Sequence, residues 1–316
     1  MKLILDCDCG VDDAEAIMMV LSSPGVDLVA ITCVGGNTKL DNVQDNVLRV
    51  LKVCQKKVPV YRGSDLPLCG SRAQEVTSPL VHGSDGFGGI AHTIPIEDRS
   101  SIQADPAAVF LVDYIRSHPS EVTIVTTGPL TNLALAQRLW SQFSNSLKRL
   151  VVMGGDTSYH GNRQDFLTAE FNFGYDPEAA SIVLKEFVCP KQVITYDLCL
   201  KSALSWDWYK KGYVSSNSAK GALVQRLIAG RVKRNIEVGK GSGYYSCDPF
   251  AMAVALRPNI ALRSEKHVVK VECKGDLTRG QIVVDKRDLL SGLPLTEIVQ
   301  SLDLSGLADA MMLIVT

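Results

Sequence analysis

The amino terminus places four aspartates within eight residues, Asp6, Asp8, Asp12 and Asp13, in the segment LILDCDCGVDDA. Carboxylates this close oppose one another's ionisation. The cluster is tolerable if a cation sits among them or if some stay protonated. A bound divalent ion is the simplest explanation, and oxygen-only donors favour Ca²⁺ or Mg²⁺ over zinc. One acid could instead cap the following helix, and Asp12 or Asp13 is placed for that role. Capping accounts for one carboxylate, not four. Gly10 permits a tight turn that gathers them around one point.

Three further segments carry chemistry-bearing side chains. Asp248, in YYSCDPFAMAVAL, precedes Pro249 and reads either as an N-cap with proline at the first helical position or as a distant ligand to the same ion. In TAEFNFGYDPEAA, Glu170 and Asn172 alternate, which puts both on one face of an extended segment. A carboxylate and an amide so placed suit a hydroxyl-rich ligand. Asp176, before Pro177, reads as a helix cap. The HGSDGFGG segment at His82–Gly89 reads on composition as a flexible surface loop, and it lacks the patterns that cradle phosphate.

Strand-length apolar runs must present these groups: Lys2–Asp6, Val26–Val34, Val58–Tyr61, Val122–Thr126, Arg149–Met153 and Gln192–Tyr196. Segments with helical spacing lie between several of them, at Asn42–Cys54, Pro106–Ser117, Asn132–Leu139 and Pro177–Phe187. The alternation predicts an α/β fold with an open, mostly parallel sheet and flanking helices. Glycines punctuate the ends of several strands, where open parallel sheets bind ligands. Beyond Asp197 the pattern predicts additional helices at Ala219–Glu237 and Pro249–Leu256, then strands at Val268–Val271 and Gln281–Asp285. A final helix followed by a strand is predicted over Pro294–Ile314. With no repeat or linker visible, residues 1–316 read as a single domain.

Composition narrows the partners. The 33 basic residues nearly cancel the 34 acidic ones, which argues against nucleic-acid or acidic-membrane binding. Apolar runs fall short of the roughly 18 residues a membrane span needs. Nine scattered cysteines without a CxxC pair, and a strand directly after Met1, lead to the expectation of a cytoplasmic protein with free thiols and no leader.

The ordered motifs resemble the nucleoside hydrolase family, the inosine-uridine-preferring nucleoside N-ribohydrolases, over nearly the whole chain. They are DxDxGxDDA at Asp6–Ala14, VxGN at Val34–Asn37, HGxDGxG at His82–Gly88 and GPLTNLALA at Gly128–Ala136, then MGG at Met153–Gly155, AEFNxxxDPEAA at Ala169–Ala180, CDPFA at Cys247–Ala251 and LTRGQxVVD at Leu277–Asp285. The resemblance implies a Rossmann-like sheet, a homodimer or homotetramer, one Ca²⁺, and hydrolysis of ribonucleosides to ribose and free base. It implies that Asp8 is the general base and touches the metal, and that Asp13, Asp248 and the Thr131 carbonyl are further metal ligands. Asp12 would hold the ribose 2′-hydroxyl, with Asn37, Glu170 and Asn172 on the other sugar hydroxyls and Asp6 bracing the cluster. Met153, Asp248 and Cys247 fall in the substrate-binding set, and His82 with Tyr244 or Tyr245 are candidates for the base end.

Two positions depart from the family pattern. Many members have histidine where Cys247 stands, acting as an acid toward the leaving base. Asn162, the expected contact to the 5′-hydroxyl, lies eight rather than six residues before the glutamate. Two other readings remain open here. A non-catalytic ribonucleoside-binding protein could use the same fold. A Mg²⁺-dependent phosphatase of the haloacid-dehalogenase type could open on the same strand-then-DxD, though it leaves the AEFN and GPLTN segments unexplained.

Overall fold

Seven apolar runs of the chain become parallel neighbours in one sheet. The computed structural model describes residues 1–70, 81–96, 99–163, 165, 167–237 and 243–316. The strands are β1 (Lys2–Cys7), β2 (Asp27–Cys33), β3 (Val60–Arg62), β4 (Val122–Thr126), β5 (Arg149–Met153), β6 (Lys191–Ile194), β7 (Leu204–Ser205), β8 (Gly243–Tyr244), β9 (Ala261–Val271), β10 (Ile282–Val284) and β11 (Leu295–Leu302). Nine form the sheet in the order β10-β9-β11-β6-β5-β4-β1-β2-β3, and β7 pairs with β8. From β11 to β3 every pairing is parallel, while β9 runs antiparallel to β11 and β10.

The helices are α1 (Val11–Ser22), α2 (Leu40–Val53), α3 (Ala107–Ser117), α4 (Thr131–Leu139), α5 (Phe171–Tyr175), α6 (Pro177–Glu186), α7 (Tyr196–Lys201), α8 (Trp206–Lys211), α9 (Ala219–Glu237), α10 (Cys247–Leu256) and α11 (Leu304–Met312). Side chains on β1 alternate between two cores, as period-two spacing requires. Leu3, Leu5 and Cys7 join the layer containing Ile17, Val47 and Phe250, whereas Ile4 joins Leu111, Leu133 and Val183. Burial on both faces explains why β1 and β4 read as continuous apolar runs rather than alternating ones.

The carboxyl-terminal prediction was reversed: strand β11 comes first and helix α11 follows. The segment LTEIVQSL alternates, burying Thr296 and Ile298, and pairs with both β6 and β9. Asp303 then caps α11 by accepting from the Ser305 N–H (3.0 Å). Among the described residues no helix is long and apolar enough to cross a membrane.

Candidate active site

The site forms where β1, β2, β4 and β5 end. The chain passes from β1 into α1 through Cys9 (φ +21°) and an extended Gly10, where a Cβ would lie 2.4 Å from His82 Nδ1, and the acids of the amino-terminal motif take separate environments. Asp6 turns away, its Oδ1 accepting from Thr32 Oγ1 (2.5 Å) and Asn132 Nδ2 (2.8 Å). Asp8 accepts the Asn37 N–H at Oδ2 (2.7 Å), while its Oδ1 is buried without a hydrogen-bond partner. Asp13 accepts the Gly10 N–H at Oδ2 (2.7 Å) and Thr127 Oγ1 at Oδ1 (2.7 Å). Asp12 faces the cavity, again with an unpartnered Oδ1.

Backbone packs tightly on Asp8. A Cβ on Gly36 would lie 2.1 Å from Asp8 Oδ2, and one on Gly128 would lie 3.0 Å from Oδ1. Only glycine lets these strand ends close around the carboxylate.

Asp248 does not cap α10, whose N-cap is Ser246. It lies inside the first turn, buried, and reaches the amino-terminal cluster. Asp12, Asp13 and Asp248 each offer a carboxylate oxygen within 4.8 Å of the others. Burial above all pushes Asp13 up to about 7, and neighbouring Asp12 adds to it. Burial likewise holds Asp8 and Asp248 well above the usual carboxylate range, with Asp13 the next cause for Asp8 and Asp12 for Asp248. Without a cation among them, burial and mutual repulsion oppose their ionisation. A hard cation among them would relieve both the desolvation and the repulsion. The donor set of Asp12, Asp13 and Asp248 fits such an ion; Asp8 stands outside that group and the cavity lining, fully buried with its Oδ1 unpartnered.

Glu170 and Asn172 both reach the same cavity, though not on an extended segment. Glu170 is the N-cap of α5, accepting from the N–H groups of Asn172 (3.0 Å), Phe173 (3.2 Å) and Gly155 (2.9 Å). Asn172 sits in the first turn and donates from Nδ2 to the carbonyls of Thr127 (2.9 Å) and Met153 (3.2 Å). The spacing of two was therefore a capping signal, because the cap side chain bonds the second helical N–H. Burial pushes Glu170 up to about 7. Asn37, Met153 and Asn162 also line the cavity. Asp176 caps α6 as expected, through the Ala179 N–H (3.0 Å).

Thr131, expected to offer its carbonyl, opens α4 and is absent from the cavity lining. Its hydroxyl donates to Asp176 Oδ2 (2.7 Å), and the threonine that lines the cavity and donates to Asp13 is Thr127. Thr127 stands immediately before the GPLTNLALA motif, whereas Thr131 within it is the first residue of α4.

The His82 segment is not a flexible surface loop. Asp85 ties it together by accepting from the N–H groups of Phe87 (2.8 Å), Gly89 (2.9 Å) and Ala91 (2.9 Å), and Phe87 is fully buried. His82 Nδ1 accepts the Val11 N–H (3.2 Å) and lies 3.7 Å from Asp12 Oδ1. Burial lowers its pKa, so the ring is neutral with its proton on Nε2.

At the base end, Tyr245 lines the cavity but Tyr244 does not. Tyr244 is fully buried, donating to Glu15 Oε1 (2.6 Å) and accepting from Arg231 Nη2 (2.9 Å). Cys247 lines the cavity with its thiol hydrogen-bonded to Cys199, and that bond together with burial raises its pKa well above the ordinary thiol range. Sequence reasoning missed Arg231, Tyr196 and Phe171, which share the lining, and Glu15 behind it. Arg231 sits among the basic residues of α9, where nothing marks it off from a solvent-facing cation. Glu15 follows Asp12 by three positions, which on a helix is the same face, and that was its one signal.

A parallel sheet with buried carboxylates and a capped amide–carboxylate pair at its strand ends defines a hydrolase-type pocket for a polyhydroxylated ligand. Comparison with known proteins narrows that class. The family model described as inosine-uridine preferring nucleoside hydrolase matches residues 3–309. An inosine-uridine preferring nucleoside hydrolase of Crithidia fasciculata is 33% identical over 291 residues, covering 91% of this chain and 88% of its own. One from Leishmania major is 35% identical over 290 residues, covering 90% and 88%. A solved plant nucleoside hydrolase superposes with a TM-score of 0.89 at 26% identity, covering 100% of this chain and 99% of its own. The chain belongs to the inosine-uridine preferring nucleoside hydrolase family, enzymes that cleave the N-glycosidic bond of nucleosides. The phosphatase reading falls with that finding.

Proposed function

We propose that this enzyme hydrolyses ribonucleosides to ribose and free base with Ca²⁺ as its resident ion. The observation that carries the reading is the convergence of Asp12, Asp13 and Asp248 within 4.8 Å, with Asp12 and Asp248 lining the cavity that Glu170 and Asn172 also line. Asp8, Asp13 and Asp248 would hold the ion, leaving Asp12 to a ribose hydroxyl at the cavity wall. When bound, the ion offsets the carboxylates' charge and acidifies a coordinated water.

The chain's own groups supply the rest. Asp8 Oδ1 is the general base, taking a proton from the attacking water while the Asn37 N–H fixes Oδ2. Asp12, Asn37, Asn162, Glu170 and Asn172 orient the sugar, with Glu170 and Asn172 immobilised by their backbone partners. Breaking the glycosidic bond builds positive charge on the ring, and buried carboxylates beneath it stabilise that charge. Asp6 braces the strand end through Thr32 and Asn132. Met153 shapes the floor, while Phe171, Tyr196 and Tyr245 offer aromatic faces to a nucleobase.

Cys247 favours a second reading, a ribonucleoside-binding protein, because a thiol held well above its ordinary pKa is a weak acid toward a leaving base. Release of free base from inosine, uridine, adenosine, guanosine and cytidine decides. Turnover of any of them supports the hydrolase. Binding of a ribonucleoside without base release, with Ca²⁺ supplied, supports the binding protein.

A further inference from the structure

The LTRGQ segment at residues 277–281 stands outside the cavity, yet it is tied to the segment that carries Asn162. We infer that the turn between β9 and β10, residues 272–281, is a positioning element that sets Asn162 against the substrate. The inference rests on the proposed function, in which Asn162 meets the ribose 5′-hydroxyl.

The segment after β5 is anchored at its inner end by Asp156, which accepts the Ser158 N–H (2.7 Å) and the Gly161 N–H (2.8 Å). Asn162 donates its N–H to the Ala169 carbonyl (3.1 Å), closing the segment on itself. Its outer end hangs on the turn. The Leu167 N–H donates to the Leu277 carbonyl (3.1 Å), and Thr168 Oγ1 donates to Gln281 Oε1 (2.9 Å). Gly280 adopts φ +85°, and a Cβ there would lie 2.6 Å from Gly174 Cα. Only glycine allows the turn to press this closely on α5.

The turn is itself held from the other side. Arg279 Nη2 donates to both carboxylate oxygens of Glu178 (2.8 Å each), at the start of α6, and its Nη1 donates to the Cys273 carbonyl. The turn therefore contacts residues 167–168 and 178, on either side of α5. Glu170 and Asn172 have anchors of their own, on the Gly155 N–H and on the Thr127 and Met153 carbonyls. Loss of the turn should accordingly be felt more at Asn162 than at those two residues, although Gly280 also packs on α5.

The experiment compares kcat/KM for a ribonucleoside and its 5′-deoxy analogue, using inosine or uridine, whichever is turned over. The wild-type ratio should be at least about tenfold, the worth of one well-made hydrogen bond to the sugar. Asn162→Ala should bring it near one. Arg279→Ala and Gln281→Ala should do the same by lowering kcat/KM only for the parent nucleoside, and Arg279→Lys should recover part of the ratio. If Arg279→Ala does not fold, Thr168→Val, which removes only the hydroxyl tie, carries the same expectation. A wild-type ratio kept in Asn162→Ala removes the Asn162 contact and the inference with it. A ratio lost in Asn162→Ala but kept in the folded turn variants overturns the inference alone.

Discussion

The guanidinium of Arg231 lies 3.4 Å from the carboxylate of Asp12, and its other terminal nitrogen lies 3.5 Å from Glu15. One buried cation from α9 thus serves two acids on one face of α1. Glu15 is fully buried and also accepts from Tyr213 (2.5 Å), Tyr244 (2.6 Å) and Ser246 (2.5 Å). Removing the cation strands both carboxylates. Arg231→Met should cost about 3–5 kcal/mol of stability, as for other buried pairs broken on one side. Arg231→Lys should recover only part, because a single ammonium cannot reach Asp12, Glu15, Tyr244 and Ser246 together. Urea unfolding of the three proteins measures this, and equal midpoints would contradict it.

Asp8→Asn should lower kcat by about 10²- to 10⁴-fold, the usual worth of a general base. The same change replaces an acid whose ionisation burial opposes with a neutral amide. The metal-free variant should therefore unfold at a higher temperature than the metal-free wild type at pH 8. Base-release kinetics and thermal melts in chelator read the two effects separately.

Stability of the metal-free protein should fall as pH rises. Asp6, Asp13 and Glu170 are each raised to about 7 by burial, from ordinary values near 4. Between pH 4 and 7 the folded protein then holds more protons than the unfolded chain, so folding weakens with increasing pH across that window. The contribution is fully present below about pH 4 and lost above about pH 7. Added Ca²⁺ should consequently raise the melting temperature more at pH 8 than at pH 5, where protons compete for Asp13. A larger calcium shift at pH 5 would contradict the assignment.

Cys247→His tests the base end. An imidazole titrates near neutrality and could protonate a leaving base, whereas this thiol is held well above its ordinary range. The substitution should raise kcat/KM about tenfold or more for at least one nucleoside and change the order of base preference. An unchanged rate and order across the five-nucleoside panel would show that this position does not act on the leaving group.

Much of the sheet was legible because its central strands are buried on both faces, and a run such as Val122–Thr126 then carries no charged residue. The crowded amino-terminal acids were legible for an equally physical reason, since repulsion among them demands compensation. What escaped was set by tertiary geometry. The alternation of β11 was overlooked beside the cap at Asp303, which reversed the last two elements. Glu170 and Asn172 were read with period two when a cap produced the spacing. Arg231 needed α9 to be docked on α1 before its partners existed. Thr127 and Thr131 are four residues apart, and only the start of α4 separates the one at the cavity from the one on Asp176.

The central claim is that a cation held by the aspartate cluster supports ribonucleoside hydrolysis. Its most direct test is release of free base and ribose from inosine and uridine by protein stripped with chelator, before and after Ca²⁺ is restored. The account predicts base and ribose in equal amounts, lost on stripping and regained with Ca²⁺. Full turnover by the stripped protein, or none from either nucleoside in saturating Ca²⁺, would contradict it.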